Sequence, residues 1–117
     1  MVEKRRDRRV PLRVQVFVRN KEFEGTIFFY SANISTGGIF LESDLLFDVG
    51  TEFLLEFTLP LHPGFIRAKG VVVWVTRPGV IGQERSDPPG MGIKFVEISD
   101  EDRKKLEEFI ARKLSRS

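Results

Sequence analysis

The chain has 117 residues, of which 41% are apolar and 31% are charged, and it has no cysteine. This length suits one domain with one core, and the composition is that of an ordinary globular protein. The lack of cysteine excludes disulfides, thiolate catalysis and cysteine-based metal sites, and it favours a reducing cytoplasm. No apolar run reaches the roughly 20 residues of a membrane-spanning helix, so we expect neither a membrane span nor a secretory signal.

Positive charge is concentrated near the N-terminus. Residues 1–13 contain six basic and two acidic side chains, a net charge of +4, whereas the other 104 residues contain 13 basic and 15 acidic side chains, a net charge of −2. The segment Arg5-Arg6-Asp7-Arg8-Arg9 has no apolar residue to hold it in a core. This distribution predicts one local anion-binding arm and argues against a surface that follows a nucleic-acid backbone.

The first half of the chain predicts three strands. Alternating apolar residues predict a strand over residues 12–19, a turn at 20–22 and a second strand over 23–30. A compact polar turn, Asn33-Ile34-Ser35-Thr36-Gly37-Gly38, then leads into a third strand that begins at Gly38. Asn, Ser and Gly are ordinary turn residues, so this segment alone predicts only a turn.

The second half predicts three more strands and one helix. The strands cover residues 53–59, 65–75 and 91–96, and Gly70 predicts a bulge or bend inside the second of these. Residues 77–90 are rich in Pro and Gly and predict an exposed loop. Ser99 is a suitable N-cap for a terminal helix. The apolar stripe of this helix, which we expect to pack on the barrel in preference to a partner, comprises Leu106, Phe109, Ile110 and Leu114.

Six short strands and one terminal helix predict a mainly β protein, a small antiparallel barrel whose closure removes exposed strand edges. Composition alone does not separate this barrel from an OB-fold or an SH3-like barrel. We divide the chain into a basic arm at residues 1–11, a barrel at 12–98 and a helix at 99–115. The helix stripe and the many phenylalanines leave room for a homodimer.

The inventory of reactive groups argues against an enzyme. The only histidine, His62, lies between Pro60 and Pro63 in a predicted turn, and one histidine without cysteine does not make a typical zinc site. The chain has neither a nucleophile elbow nor a phosphate-binding Gly-rich loop ending in Lys-Ser/Thr. We therefore expect no catalytic residue, no metal and no cofactor.

Arg5-x-x-x-Arg9, followed by Asn33-x-Ser35-x-x-Gly38, resembles the signature of PilZ domains, bacterial receptors for the second messenger cyclic di-GMP. The resemblance extends over nearly the whole chain and includes the Val-Val-Val-Trp-Val segment at 71–75 and Gly-Ile-Lys-Phe at 92–95. It implies a six-stranded barrel that holds its ligand against the outer surface. Asn33 stands where many members have Asp, and both residues occur among binders.

The resemblance also implies roles for individual residues. Arg5 and Arg9 would bind phosphate oxygens and the guanine edge, with Arg6 as a helper. Asn33 and Ser35 would hydrogen-bond the ligand, and Gly38 would let the backbone approach closely. Trp74 would stack on a base or, equally well, be a half-buried barrel residue. We hypothesise that the arm is mobile without ligand and orders around it, which relays the signal to a downstream protein partner that the sequence does not name.

Two alternatives stay open at this point. A small barrel that binds RNA or single-stranded DNA would carry aromatic residues on an exposed sheet face, but Phe28, Phe29 and Tyr30 are adjacent and cannot all share one face. A PilZ-like interaction module without nucleotide binding would usually lack the arginines that this chain keeps.

Overall fold

The computed structural model describes residues 8–77 and 88–115. These residues form seven strands and one helix, α1, and all the strand pairings are antiparallel. The elements in chain order are β1 Val10–Pro11, β2 Gln15–Arg19, β3 Ile27–Ile34, β4 Gly38–Glu42, β5 Glu52–Leu59, β6 His62–Thr76, β7 Gly90–Ile98 and α1 Asp100–Ser115.

Six of the strands close into a barrel, as the sequence predicts. The hydrogen-bonded order is β1-β3-β2-β5-β6-β7-β4, and an additional pairing of β3 with β4 joins the two ends into a ring. The two-residue strand β1 pairs with the C-terminal end of β3. Strand β2 pairs with the N-terminal part of β3, on the same side. Closure pairs both edges of each of the six barrel strands in the described part of the chain, which suits so small a sheet.

The predicted strand at residues 12–19 begins later, at Gln15, and a short strand, β1, precedes residues 12–14, which contact a buried serine. The Ser31 hydroxyl accepts a hydrogen bond from the Val14 amide at 3.1 Å and donates one to the Leu12 carbonyl at 2.5 Å. Ser31 is fully buried, and these bonds satisfy backbone groups that would otherwise be orphaned inside the protein. The segment between β1 and β2 is therefore held to β3 by the Ser31 side chain together with two backbone hydrogen bonds, from the Leu12 amide to the Ala32 carbonyl and from the Ser31 amide to the Val14 carbonyl.

The predicted strand at residues 23–30 is displaced by four residues. The observed strand β3 begins at Ile27 and runs to Ile34, so Asn33 lies in a strand and the turn contains only residues 35–37. Phe23 is apolar for a different reason: its ring packs against Phe47, with 5.9 Å between centroids, and covers the core from a turn.

The barrel is filled by the inward residues of every strand, with Phe53 and Phe57 among the largest fully buried side chains. Gly70 lies where β6 and β7 change register, but the extra residue of this bulge is Val96 on β7 and not a residue of β6, where the bulge was predicted. A methyl group at Gly70 would approach Ile93 Cγ2 to 2.5 Å, so the close packing of the two strands requires glycine.

Helix α1 packs on the barrel through the predicted stripe. Leu106, Phe109 and Ile110 are buried. The Ser99 hydroxyl accepts a hydrogen bond from the Asp102 amide at 3.1 Å, as expected of an N-cap. The Asp102 carboxylate accepts one from the Arg67 amide of β6 at 3.1 Å, which fastens the first turn to the barrel. No helix within residues 8–77 and 88–115 is long and apolar enough to cross a membrane.

Candidate functional site

The basic arm and the polar motif meet through one hydrogen bond. Val10 and Pro11 pair with Ile34 and Asn33, which places Arg9 directly beside the end of β3. Arg9 Nη1 donates to Asn33 Oδ1 at 2.8 Å across 24 residues of sequence. Arg9 is exposed and Asn33 is partly exposed, so both side chains are accessible from solvent. Arg5 and Arg6, the other predicted arginines of the site, lie outside the described residues.

Ser35 shapes the turn that follows β3. It is 3% exposed, and its hydroxyl accepts a hydrogen bond from the Gly37 amide at 3.2 Å. Its own amide donates to the Gly38 carbonyl at 2.9 Å. The serine thereby fixes the position of Gly38 relative to Asn33, and its hydroxyl is turned into the loop.

Gly38 lies where β4 passes very close to β7. A methyl group on Gly38 would overlap the carbonyl oxygen of Ile93, a backbone atom that cannot rotate away. Gly38 is not among the residues with positive φ, so the requirement for glycine is steric. The motif glycine therefore sets the distance between β4 and β7 beside the Arg9–Asn33 pair.

Trp74 reaches the same face of the barrel because of a bulge. The register between β6 and β7 shifts between Val72 and Trp74, with Val73 as the extra residue. A bulge redirects the side chains that follow it. Trp74 consequently lies outward and 42% exposed, although Val72 two residues earlier is buried in the core.

Four residues on neighbouring strands form what we call the outer row. They are Asn33 on β3, Phe40 on β4, Gly92 on β7 and Trp74 on β6, each paired with the next across the sheet. Directly paired residues face the same side of a sheet, and strands lie about 4.8 Å apart, so the row is about 14 Å long. The row therefore joins the Arg9–Asn33 pair to Trp74 across one continuous surface.

Sequence reasoning missed two members of the outer row, Phe40 and Gly92. The Trp74 ring stacks on Phe40 with 5.1 Å between centroids and 21° between planes. A methyl group at Gly92 would overlap the indole, so glycine is what lets the ring lie across β7. The period of two along β4 puts Phe40 on the face opposite to Ile39 and Leu41, and this alternation was a signal for its outward position. The Trp74 ring covers Phe40, which is only 4% exposed. Gly92 belongs to the Gly-Ile-Lys-Phe segment of the family resemblance, but nothing in the sequence placed it beside Trp74.

A separate concave surface lies elsewhere on the barrel. An open groove of about 970 Å³ crosses the outer faces of β2, β5, β6 and β7, and no predicted site residue lines it. Two of its cations are already paired, Arg67 with Glu56 and Lys69 with Glu52. We place the candidate site at the outer row because the motif residues converge there. Among the described residues, no group of three or more His, Asp or Glu side chains could hold a metal ion.

A second aromatic surface lies on β2 and β3. Phe28 and Tyr30 are 48% and 39% exposed on the outer face, and Phe29 between them is buried. The Phe28 ring contacts both Tyr30 and Phe17. The Arg13 guanidinium lies 4.4 Å from the centre of the Tyr30 ring and forms an ion pair with Glu42 at 3.2 Å. The contacting rings of Phe28 and Tyr30 thus share an exposed face, which is a feature that the nucleic-acid alternative requires.

Comparison with known families identifies the domain. The family model of the PilZ domain matches residues 3–112, nearly the entire chain. The chain belongs to the PilZ domain family. PilZ domains are ligand-binding and regulatory modules, and the closed six-stranded barrel with one C-terminal helix is their fold.

Solved PilZ structures have the same fold. The motility inhibitor MotI (DgrA) of Bacillus subtilis is 27% identical, with a TM-score of 0.70 over 92% of this chain. This chain spans only 50% of the length of that protein. The PilZ domain of YcgR from Escherichia coli, solved with c-di-GMP, is 17% identical, with a TM-score of 0.70 over 97% of this chain and 93% of that one. No curated protein matches this sequence.

Proposed function

We propose that this PilZ domain binds cyclic di-GMP on the outer row and passes the signal to a protein partner through its N-terminal arm. The observation that carries the proposal is the Arg9–Asn33 hydrogen bond of 2.8 Å, which brings the two halves of the signature together on an accessible surface. The YcgR domain, solved with c-di-GMP, supports the choice of ligand.

Each part of the site has a chemical task in this proposal. Arg9, with Arg5 and Arg6 ahead of it, binds phosphate oxygens and the N7/O6 edge of a guanine, which a planar guanidinium matches in a bidentate manner. Asn33 orients Arg9 and offers its amide to the ligand. Ser35 and Gly38 fix the turn between β3 and β4 beside these residues. Trp74 offers the free face of its indole to the second guanine.

The available contacts are sufficient for a useful affinity. A hydrogen bond to a charged group contributes roughly 1.5–3 kcal/mol. A micromolar dissociation constant requires about 8 kcal/mol. Two arginines, the Asn33 amide and one stacked base reach this value even after the ordering of a few backbone residues, at about 1–2 kcal/mol each.

In this proposal the N-terminal arm transmits the signal of ligand binding. Arg5 and Arg9 engage one ligand while Val10 and Pro11 stay paired with β3, so the ligand draws residues ahead of β1 onto the barrel surface. We expect protease cleavage near residues 3–10 to slow when cyclic di-GMP is added. Equal cleavage rates with and without ligand would remove the arm from the signalling route.

The test of binding is isothermal titration calorimetry with cyclic di-GMP on wild type, Arg9→Ala and Arg19→Ala. Arg19 is the matched control, because it is an exposed arginine at the far end of β2 that lines the open groove. We expect wild type and Arg19→Ala to bind equally and Arg9→Ala to lose at least tenfold in affinity. A wild-type protein that gives no binding heat would contradict the proposal and favour an interaction module.

The exposed Phe28 and Tyr30 favour a single-stranded nucleic acid as a second candidate ligand. A titration of wild type with a short oligonucleotide over a series of salt concentrations separates the two functions, since contacts to several phosphates produce a steep loss of affinity with salt. We expect weak oligonucleotide binding, because the cation beside these rings, Arg13, is already paired with Glu42.

A further inference from the structure

A second line of outward positions runs beside the outer row. Gly38 on β4 pairs with Lys94 on β7, and Lys94 pairs in turn with Val71 on β6. Lys94 is exposed, and its neighbours Ile93 and Phe95 are buried in the core, so its side chain leaves the barrel on the face that carries Trp74. It lies two residues from Gly92, or about 7 Å along β7.

Lys94 is the only basic residue on the two central strands of this surface. Strands β4 and β7 have the sequences GIFLE and GMGIKFVEI, so no other cation lies on the strands between Asn33 and Trp74. Lys94 forms no ion pair with any residue in the described part of the chain. Its charge is therefore available to a ligand. By contrast, the ammonium of Lys69 on β6 forms an ion pair with the Glu52 carboxylate, with 3.7 Å between Nζ and Oε1.

The position of Lys94 matches one part of a dinucleotide. A ligand with two bases, one beside Arg9 and Asn33 and one on the free face of Trp74, has its sugar–phosphate linkages over the strands in between. Those strands are β4 and β7, whose outer surface carries the Phe40–Trp74 stack over Gly92 and no side chain at Gly38 itself, the residue paired with Lys94. A phosphodiester over Gly38 lies within reach of the ammonium of Lys94 on the neighbouring strand.

We propose that Lys94 binds a phosphate of the nucleotide and is a ligand-binding residue of this domain outside the arginine and Asn-Ser-Gly motifs. This inference rests on the proposed function, because it assumes that a guanine dinucleotide occupies the outer row. Lys94 supplies a compact point charge that does not need the fork geometry of arginine. Its role is to hold the centre of the ligand while the arm and Trp74 hold the two bases.

The experiment is calorimetry with cyclic di-GMP on wild type, Lys94→Gln, Lys94→Arg, Lys69→Gln and Arg9→Ala. We expect Lys94→Gln to weaken binding about tenfold, a difference of about 1.4 kcal/mol. Lys94→Arg should stay within about threefold of wild type, since the charge is kept, and Lys69→Gln should match wild type. The affinity of Lys94→Gln should also fall less steeply with salt than that of wild type, because one phosphate contact is missing.

The outcomes separate this inference from the function on which it rests. If wild type binds, Arg9→Ala loses binding and Lys94→Gln binds like wild type, the proposed function stands and the role of Lys94 is refuted. Equal losses in Lys94→Gln and Lys69→Gln would refute it too, because general surface charge would then be the cause. If wild type does not bind cyclic di-GMP, both proposals fail. Coincident thermal unfolding of wild type and Lys94→Gln shows that the loss of affinity is not a loss of fold.

Discussion

At the scale of single residues, the surface around the Arg9–Asn33 pair depends on two glycines. Gly38 and Gly92 lie on adjacent strands, and a methyl group on either one would overlap a neighbour. At Gly38 the neighbour is a backbone carbonyl, whereas at Gly92 it is the indole of Trp74. The first glycine therefore controls how closely two strands pack, and the second controls where a ring lies.

We expect Gly38→Ala to destabilise the domain. The added methyl forces β4 and β7 apart, and overpacking of this kind typically costs about 1–3 kcal/mol. Equilibrium unfolding in urea measures the loss as a lower midpoint with an unchanged slope. A midpoint equal to that of wild type would show that the strands separate without cost, contrary to the steric account of this glycine.

At the scale of elements, helix α1 is held by its first turn as well as by its apolar face. The Ser99 hydroxyl caps the helix, and Asp102 binds the amide of Arg67 at the end of the barrel. The cap and the contact with β6 are thus separated by only three residues. Loss of the cap loosens the turn that carries Asp102.

Ser99→Ala should therefore lower the free energy of unfolding by about 1 kcal/mol, the usual cost of removing an N-cap. Ser115→Ala is the matched control, because its hydroxyl donates to the Arg112 carbonyl at the other end of the same helix and is exposed. Chemical denaturation of both variants makes the comparison. Equal effects at the two ends would contradict the coupling of the cap to the contact with β6.

The elements also show what the sequence could and could not predict. Strand β4 begins at Gly38 as predicted, since an apolar run follows directly after turn residues. The displacement of β3 was not predictable from periodicity. Phe23 packs against the core from a turn, so its apolar side chain extends the strand pattern beyond the true start of β3. The outward position of Trp74 depends on a bulge at Val73, and the local pattern of five apolar residues contains no trace of that bulge.

The candidate site was predictable in its motifs but not in its full extent. The meeting of Arg9 with Asn33 was expected from the family signature, and the pairing of β1 with β3 gives its physical reason. Phe40 comes next to Asn33 through the local pairing of β3 with β4, whereas Gly92 and Lys94 come next to these residues only through long-range strand pairing. The long-range pairings are properties of the closed sheet and are not encoded in any single segment.

At the scale of the whole molecule, the motif residues lie where the ring of strands closes. Asn33 and Gly38 bracket the turn between β3 and β4, the pair that joins the two ends of the sheet. A ligand bound across β3, β4, β7 and β6 holds these strands together. Binding at the outer row should therefore stabilise the entire barrel.

We expect cyclic di-GMP at 100 times its dissociation constant to stabilise the native state by about 2.7 kcal/mol. For a domain of this size, such a stabilisation raises the melting temperature by roughly 10 °C. Differential scanning calorimetry of wild type measures the shift, and Arg9→Ala at the same ligand concentration provides the control. An identical rise in both proteins would place the ligand somewhere other than the outer row.

Trp74 is the only tryptophan in the chain, so its place beside Phe40 gives the domain a built-in optical reporter. The indole alone can be excited, and its emission responds to whatever covers its exposed face. A guanine stacked on that face should quench the emission, with saturation at the concentration found by calorimetry. Unchanged emission at saturating ligand would show that neither base reaches Trp74 and would confine the nucleotide to the end of the surface near Arg9.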